Sequence, residues 1–405
     1  KNIMTLQKLL VLASDNGIDL SITTIQLLVA DCALHLFISK NNIPLNEHNN
    51  LLLKFLLKQL SIGEYDCLIF DLIEDIDSAI CFCKKHPLLF NMDYIYEENE
   101  DILGLIYISC KNIGNRKATG SYYTSTKVVR KLISKLDFQE NQKILDPCCG
   151  TGNFLLQLPE HISFDKVYGN DIDTASVKIT RLNMALKYCV SITAIYEHIT
   201  ELNYLLNYNI HDFQYIIGNP PWGYEFSKEE KSELHTLFKS ASRKNIESYD
   251  VFIEQALNHL ASNGHLTYVL PEAMLNVKAH KKIREIILNS CSIKNLDFLG
   301  NAFDGVQCPC IILDLQYTHS DLTTLGMNVN TGNESFTINT ERKVSSEYFS
   351  FTTADDEYNV LNKIKSISNA YFLLGNADFA LGIVTGNNKA YISDKKTDDN
   401  EMVLK

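Results

Sequence analysis

In the stretch Lys143-Ile144-Leu145-Asp146-Pro147-Cys148-Cys149-Gly150-Thr151-Gly152-Asn153-Phe154, a short apolar run ends in an acid, turns through two glycines and leads into an apolar helix start. Gly150 and Gly152 suit a tight turn and close backbone approach to a ligand. Asp146, at the strand end, is placed to accept hydrogen bonds from an ammonium group. The spacing is not the Gly-x-Gly-x-x-Gly dinucleotide pattern, and no Gly-Lys-Ser/Thr follows as in a P-loop. About 20 residues on, Gly169-Asn170-Asp171-Ile172-Asp173 puts an acid after the next strand, where a ribose diol needs an acceptor. Asp171 fits that role, Ile172 suits an adenine face, and Asp173 reads as a helix N-cap.

Working outward, strand-like and helical segments alternate. Strands are expected at Lys143–Leu145, Lys166–Asn170, Phe213–Gly218, His265–Leu270, Ser292–Leu299 and Cys310–Tyr317. Helices are expected at Asp173–Tyr188, Asp250–Ala261 and Val277–Asn289. This alternation predicts an α/β fold, a mostly parallel sheet with helices on both faces. Ligands then bind at the C-terminal strand ends. Residues 1–115 have helical apolar spacing and are expected to form a helical N-terminal domain. They contain no Glu-x-Lys or Glu-x-Gln pair of the kind a metal-dependent nuclease uses. After 320 the chain turns polar, with strand-like texture at Ser335–Asn339 and Glu347–Thr352.

Composition sets outer bounds. The 405 residues suffice for two or three domains. The 11 cysteines are scattered without zinc spacing, so free thiols are expected and no metal site. No apolar run reads as long enough to span a bilayer and no signal peptide is seen, which points to the cytoplasm. The net charge of −12 is uneven. Residues 1–115 carry 8 Lys against 15 acidic residues, whereas 116–320 carry 21 basic and 22 acidic residues. The central part is therefore near neutral, which leaves room for a local basic cleft.

Gly218-Asn219-Pro220-Pro221-Trp222-Gly223 carries the chemistry. The two prolines lack N–H donors and fix φ, setting the directions of the carbonyls. An amine on an aromatic ring is a poor nucleophile because its lone pair is delocalised. Two acceptors aimed at its hydrogens, the Asn219 side-chain oxygen and the Pro220 carbonyl, favour a pyramidal nitrogen and free that pair. Trp222 offers a face for stacking. Such catalysis is positioning plus electrostatics.

Taken together, these segments resemble the gamma-class N6-adenine DNA methyltransferases of restriction–modification systems. The resemblance covers 101–320 well and runs on more weakly. It rests on Leu103-Gly104-x-x-Tyr107, Gly120-Ser121-Tyr122-Tyr123-Thr124-Ser125, the Asp146–Phe154 loop and the Asn219–Trp222 segment, in that order. It implies a Rossmann-like methyltransferase domain over 116–320 that uses S-adenosyl-L-methionine. Tyr123 and Thr124 would lie near the methionine end of the cofactor, with Asp146, Pro147, Cys148, Gly150, Gly152, Phe154, Asp171, Ile172, Asn219 and Pro221 around it. It implies a flipped-out adenine in double-stranded DNA as substrate, held between Trp222 and Phe303, although Phe303 also reads as a core residue. Residues 321–405 would be a linker and the beginning of a target-recognition domain, whose opening resembles Gly382–Tyr391. A further C-terminal segment or a second subunit would complete that domain.

The chain departs from the family at Ser125, where Pro is usual, at Trp222, and after the third strand. There Glu197–Glu201 offers no Asp for the cofactor's adenine amine. Basic clusters at Lys228, Lys231, Lys239, Arg243, Lys244 and at Lys278, His280, Lys281, Lys282, Arg284 read either as phosphate contacts or as solvated faces. Lys228, Lys244, Lys281 and Lys282 are the candidate DNA contacts. Methyl transfer to RNA adenine or protein glutamine, and a non-catalytic DNA-binding subunit of a defence complex, remain as alternatives.

Overall fold

The computed structural model describes residues 1–45, 48–111, 124–303, 308–320 and 322–367. The chain opens with helices α1 (Asn2–Asp15), α2 (Ile22–Asn41), α3 (Leu51–Leu56), α4 (Asp66–Phe70), α5 (Ile76–Lys85) and α6 (Ile102–Cys110). Helix α2 is apolar all round, as a helix surrounded by others must be. By length and composition it is apolar enough to cross a membrane, contrary to the sequence expectation, because Asp31 and His35 interrupt the run without breaking it. Its apolar window is 83% buried inside the protein, so it serves as the core of the helical region. Ser21 caps it by accepting from Thr24 N. Asn42, at φ 50°, ends it in a left-handed conformation.

Helix α7 (Thr126–Ile133) then leads to the sheet. The alternating part runs β1 (Ile144–Asp146), α8 (Asn153–Leu156), β2 (Val167–Asp171), α9 (Thr174–Tyr188), α10 (Ile192–His198), β3 (Ile199–Glu201) and β4 (Phe213–Gly218). It continues with α11 (Lys228–Leu237), α12 (Ser248–His259), β5 (Leu260–Pro271), α13 (Lys281–Ser290), β6 (Cys291–Asn301) and β7 (Pro309–Tyr317). Short strands β8 (Asn328–Asn330) and β9 (Ser335–Thr337) follow, and then α14 (Asp355–Ser366). The nine strands form one sheet in the order β3-β2-β1-β4-β5-β7-β6-β8-β9. Strands β1 to β5 pair in parallel, and β7 runs antiparallel between β5 and β6. The sheet is mixed and mostly parallel, as expected. Lys1–Ala354 forms one compact unit, and α14 belongs to a second.

Two elements differ from the sequence reading. Strand β3 was not anticipated; it has three residues and only Ile199 is buried, too little alternation to register. The expected strand Glu347–Thr352 is absent from the sheet, leaving an isolated Ser345–Tyr348 bridge. Its carbonyls are used elsewhere: Ser346 O and Glu347 O accept from the Arg284 guanidinium.

Chain order reverses beside β1, which pairs with β2 on one edge and β4 on the other. Crevices form at such switch points. The ends of β1, β2 and β4, hence Asp146, Asp171 and Asn219, converge there. Helix α6 closes the back of the crevice. Buried Asp101 caps it by accepting from Gly104 N (2.8 Å), and also accepts from Asn183 Nδ2 (2.8 Å) and the Thr151 hydroxyl. Burial raises the Asp101 pKa to about 6. A Cβ added at Gly104 would lie 2.0 Å from Asp101 Oδ2 and 2.2 Å from Thr151 Oγ1. Gly104→Ala should therefore lower stability by about 1–3 kcal/mol, the usual cost of overpacking, read as a lower urea midpoint. Parental stability would show that α6 is not pressed against the glycine loop.

Candidate active site

A cavity of about 490 Å3 opens at the switch point. Thr124, Pro147, Cys148, Gly150, Phe154, Asp171, Ile172, Asn219, Pro220 and Pro221 line it, so ten of the sequence-selected residues come together. Asp146 lies beneath them with no exposed surface. Gly152 stands behind the turn, where its missing Cβ would be 3.1 Å from Thr180 Cγ2. Tyr123 and Gly382–Tyr391 lie outside the described residues.

The glycine loop is built by backbone geometry. Gly150 and Gly152 have φ of 54° and 91°, which side chains disfavour. Gly150 N donates to Asp171 Oδ2 (2.8 Å), and Asp173 N donates to Asp171 Oδ1 (2.9 Å). One carboxylate thus ties the loops after β1 and β2 together, and burial raises its pKa. Asp173 occupies the cap position of α9 without capping it through its side chain. Its carboxylate instead accepts from Tyr107 OH (2.9 Å) and Ser176 Oγ (2.6 Å). Ile172, 58% exposed, faces the cavity.

The Asn-Pro-Pro turn is held from three sides. Gly218, at φ 142°, is required because a Cβ there would sit 2.5 Å from Asp146 Oδ1. The Asn219 carbonyl accepts from Cys148 Sγ (3.4 Å), and the Pro221 carbonyl accepts from Ser248 Oγ (2.6 Å). Among the described residues, no donor reaches the Pro220 carbonyl between them. Asn219 Nδ2 donates to Thr124 Oγ1 (3.0 Å), and Thr124 O accepts from Asn153 Nδ2 (2.8 Å). That contact turns Asn219 Oδ1 the other way, where it is buried without a partner. Asp146 Oδ2 is likewise buried and unpaired, its other oxygen accepting from Cys148 N (3.2 Å). Unpaired buried acceptors cost about 1–3 kcal/mol each and call for an explanation such as a ligand. Burial, aided by the charge of Asp171, pushes the Asp146 pKa well above the usual carboxylate range.

The structure does not form the expected sandwich of Trp222 and Phe303. Their rings touch edge to face, with centroids 4.9 Å apart at 83°, and neither lines the cavity. This is a favourable aromatic geometry that fills the space a base would take.

The second basic cluster is largely structural. Arg284 is fully buried and donates to the carbonyls of Met274, Val277, Ser346 and Glu347. His280 is buried between Asp250 (2.9 Å) and Tyr249 OH (2.6 Å). Helical spacing turns these two inward. Lys281 pairs with Glu347, and Lys282 with Glu285. By contrast Lys228, Lys239, Arg243 and Lys244 are exposed, with no ion-pair partner among the described residues.

Sequence reasoning missed Tyr107, Lys111, Asn170, Asn203 and Ser248. Asn170 binds the Pro147 and Leu202 carbonyls, joining the loops after β1 and β3. Leu202, Asn203, Tyr204 and Leu205 wall the cavity after β3. Because β3 was not among the expected strands and Glu197–Glu201 holds no Asp, no residue after it was selected.

The raised pKa of Asp146 has a sign. Its stabilising contribution is full below the ordinary value of 3.8 and is lost as pH rises through the folded value. At neutral pH the burial of this carboxyl group costs stability. Asp146→Asn should therefore raise the Tm at pH 7 while weakening S-adenosylhomocysteine, which carries an ammonium group, by about 10–100-fold. Thermal melts and calorimetry check both; unchanged affinity would remove Asp146 from the site.

Comparison with known proteins identifies the family and the fold. The N-6 DNA methylase family profile matches residues 98–363. The type II methyltransferase M.VspI of Vibrio sp. (strain 343) is 28% identical over 310 residues, 75% of this chain and 74% of that one. The methylase subunit of the type I restriction enzyme EcoEI of Escherichia coli is 24% identical over 228 residues, 53% of this chain but 45% of that one. The fold matches the type I restriction-modification methyltransferase subunit of Streptococcus thermophilus, with a TM-score of 0.54 and 16% identity, over 90% of this chain and 93% of that one. It also matches the DrdV–DNA complex, with a TM-score of 0.51 and 13% identity, over 81% of this chain and 39% of that one. With its family match over most of the sheet and the site at the strand ends, the chain belongs to the N-6 DNA methylase family.

Proposed function

We propose that this chain methylates the N6 amine of a flipped-out adenine at a specific sequence in double-stranded DNA, with S-adenosyl-L-methionine as donor. One observation carries the reading: Asn219 Oδ1 and the Pro220 carbonyl are adjacent acceptors with no protein donor among the described residues, on a turn that lines the cavity. An aromatic amine has two hydrogens for two such acceptors. Neither acceptor is a base at neutral pH. They shape the nitrogen, and the proton released after transfer leaves to water.

The residues present fit the donor. Asp146 Oδ2 is the buried acceptor for its ammonium group, Asp171 for its ribose diol, and Ile172 offers an apolar face. When bound, S-adenosyl-L-methionine supplies a methyl group activated on a sulfonium. Thr124 orients Asn219 through the Nδ2 contact, so the oxygen and not the nitrogen faces the amine. Trp222 and Phe303 part to receive the base between them, exchanging one aromatic contact for two. Extrusion is needed because the amine is out of reach in the duplex.

Lys228 and Lys244 are the favoured phosphate contacts. Lys281 and Lys282 must first leave Glu347 and Glu285. The N-6 DNA methylase family, and relatives that are a type II methyltransferase and the methylase subunit of a type I restriction enzyme, support a DNA substrate. The type I relative, a methylase subunit, also supports a partner subunit. A DNA substrate of restriction–modification type supports the cytoplasm of a prokaryotic cell as the place where the protein acts.

Tritiated cofactor offered with separate pools of duplex DNA, RNA and protein tests the reading. Label is expected in N6-methyladenine of DNA and should fall by at least about 10²-fold in Asn219→Ala. Label confined to RNA or protein overturns it. In salt titrations of DNA binding, Lys228→Glu with Lys244→Glu should flatten the slope by about 0.9 per lost contact, more than the same change at Lys281 and Lys282. The reverse order would relocate the DNA path.

A further inference from the structure

A turn containing two prolines has few donors of its own, so other parts of the chain must hold its carbonyls. The Asn219 carbonyl is held by Cys148 Sγ and the Pro221 carbonyl by Ser248 Oγ, at 2.6 Å. The Ser248 hydroxyl also accepts from Tyr224 N, at 3.4 Å. It therefore bridges both ends of the Trp222-Gly223 dipeptide. Gly223 has φ 68° and open space where a Cβ would be, so its backbone is held by little besides this bridge.

Ser248 is itself immobile. It is the first residue of α12 and 1% exposed. The next two residues lock the helix start into the core: Tyr249 OH donates to His280 Nε2, and His280 Nδ1 donates to Asp250 Oδ1. One turn on, Glu254 accepts from Lys239 N (3.0 Å) and Ser240 N (2.8 Å), tying down the preceding loop.

We propose that Ser248 is a positioning residue for methyl transfer: its hydroxyl clamps the Pro221–Trp222 peptide, leaving the Pro220 carbonyl directed at the target amine and Trp222 set for the base. The clamp acts through the turn, because Ser248 does not itself line the cavity and bonds the backbone of Pro221 and Tyr224. The inference rests on the reading of the Asn219–Trp222 turn as the catalytic element.

Trp222 is the only tryptophan, so tryptophan emission, excited beyond the tyrosine absorption band, reports on this turn alone. Ser248→Ala should shift the emission to the red and increase acrylamide quenching. On genomic DNA from a methylation-free strain it should lower kcat about five- to tenfold, the equivalent of one hydrogen bond. The affinity for S-adenosylhomocysteine should stay at the parental value. Ser248→Thr should restore emission and kcat, and Ser248→Cys, a weaker donor, should fall between serine and alanine. If threonine's methyl group lowers the Tm, the order serine, cysteine, alanine decides. Parental emission and kcat in Ser248→Ala overturn the proposal. So does a kcat loss matched by an equal loss of S-adenosylhomocysteine binding. If the parent methylates no DNA, the catalytic reading fails, while the fluorescence order still judges the clamp.

Discussion

Asp146 is sealed at the end of β1 with one carboxyl oxygen unpaired, and the site is arranged around that buried acid. Strand β4 can pass over it only because position 218 has no side chain. The same close approach brings Asn219 beside the glycine loop, so that Cys148 on one strand end bonds the Asn219 carbonyl on the next. A carboxylate held this way destabilises the ligand-free protein, a cost commonly accepted at binding sites. A cation in the cavity offsets it. The sheet topology thus creates an electrostatic demand and a place to satisfy it in one step.

The helical N-terminal region belongs to this arrangement. Helix α6 reaches the glycine loop through Asp101 and Thr151, and reaches the loop after β2 through Tyr107 and Asp173. Asn183 of α9 binds both Asp101 Oδ1 and the Thr151 carbonyl, closing the triangle. Both loops that would surround a donor are therefore held from behind by a helix that ends at Cys110, well before β1 begins at Ile144. Loops with such backing pre-organise a site instead of forming it on demand.

Much of this was legible because strand ends are punctuated. Asp146, Asp171 and Asn219 each follow an apolar run, and parallel topology alone brings such positions together. What was not legible depended on three-dimensional pairing. His280 and Arg284 look like part of a basic surface run, and only the facing of α13 and the turn before it puts them in the core. Lys281 was read as a free charge because Glu347, its partner, is 66 residues away. Strand β3 escaped notice at three residues, and with it the cavity wall from Leu202 to Leu205. Trp222 and Phe303 were correctly drawn to one place, but residue type does not say whether two rings leave a gap or close it.

Three consecutive carbonyls summarise how the turn works. The first and third are occupied by Cys148 and Ser248, and the middle one has no donor among the described residues. Prolines at 220 and 221 remove the N–H groups that would otherwise bond within the turn, so the occupants come from the glycine loop on one side and α12 on the other. Asn219's side chain follows the same rule, its nitrogen held by Thr124 and its oxygen left over. Each restraint removes one competing orientation without adding a charge. What remains is a pair of neutral acceptors in a dry setting, where hydrogen bonds are stronger than in water. That combination suits an amine too weak to attack unaided and needs no general base. It also ties the turn to the cavity wall, since Cys148 and Thr124 both line the cavity while holding Asn219 in place.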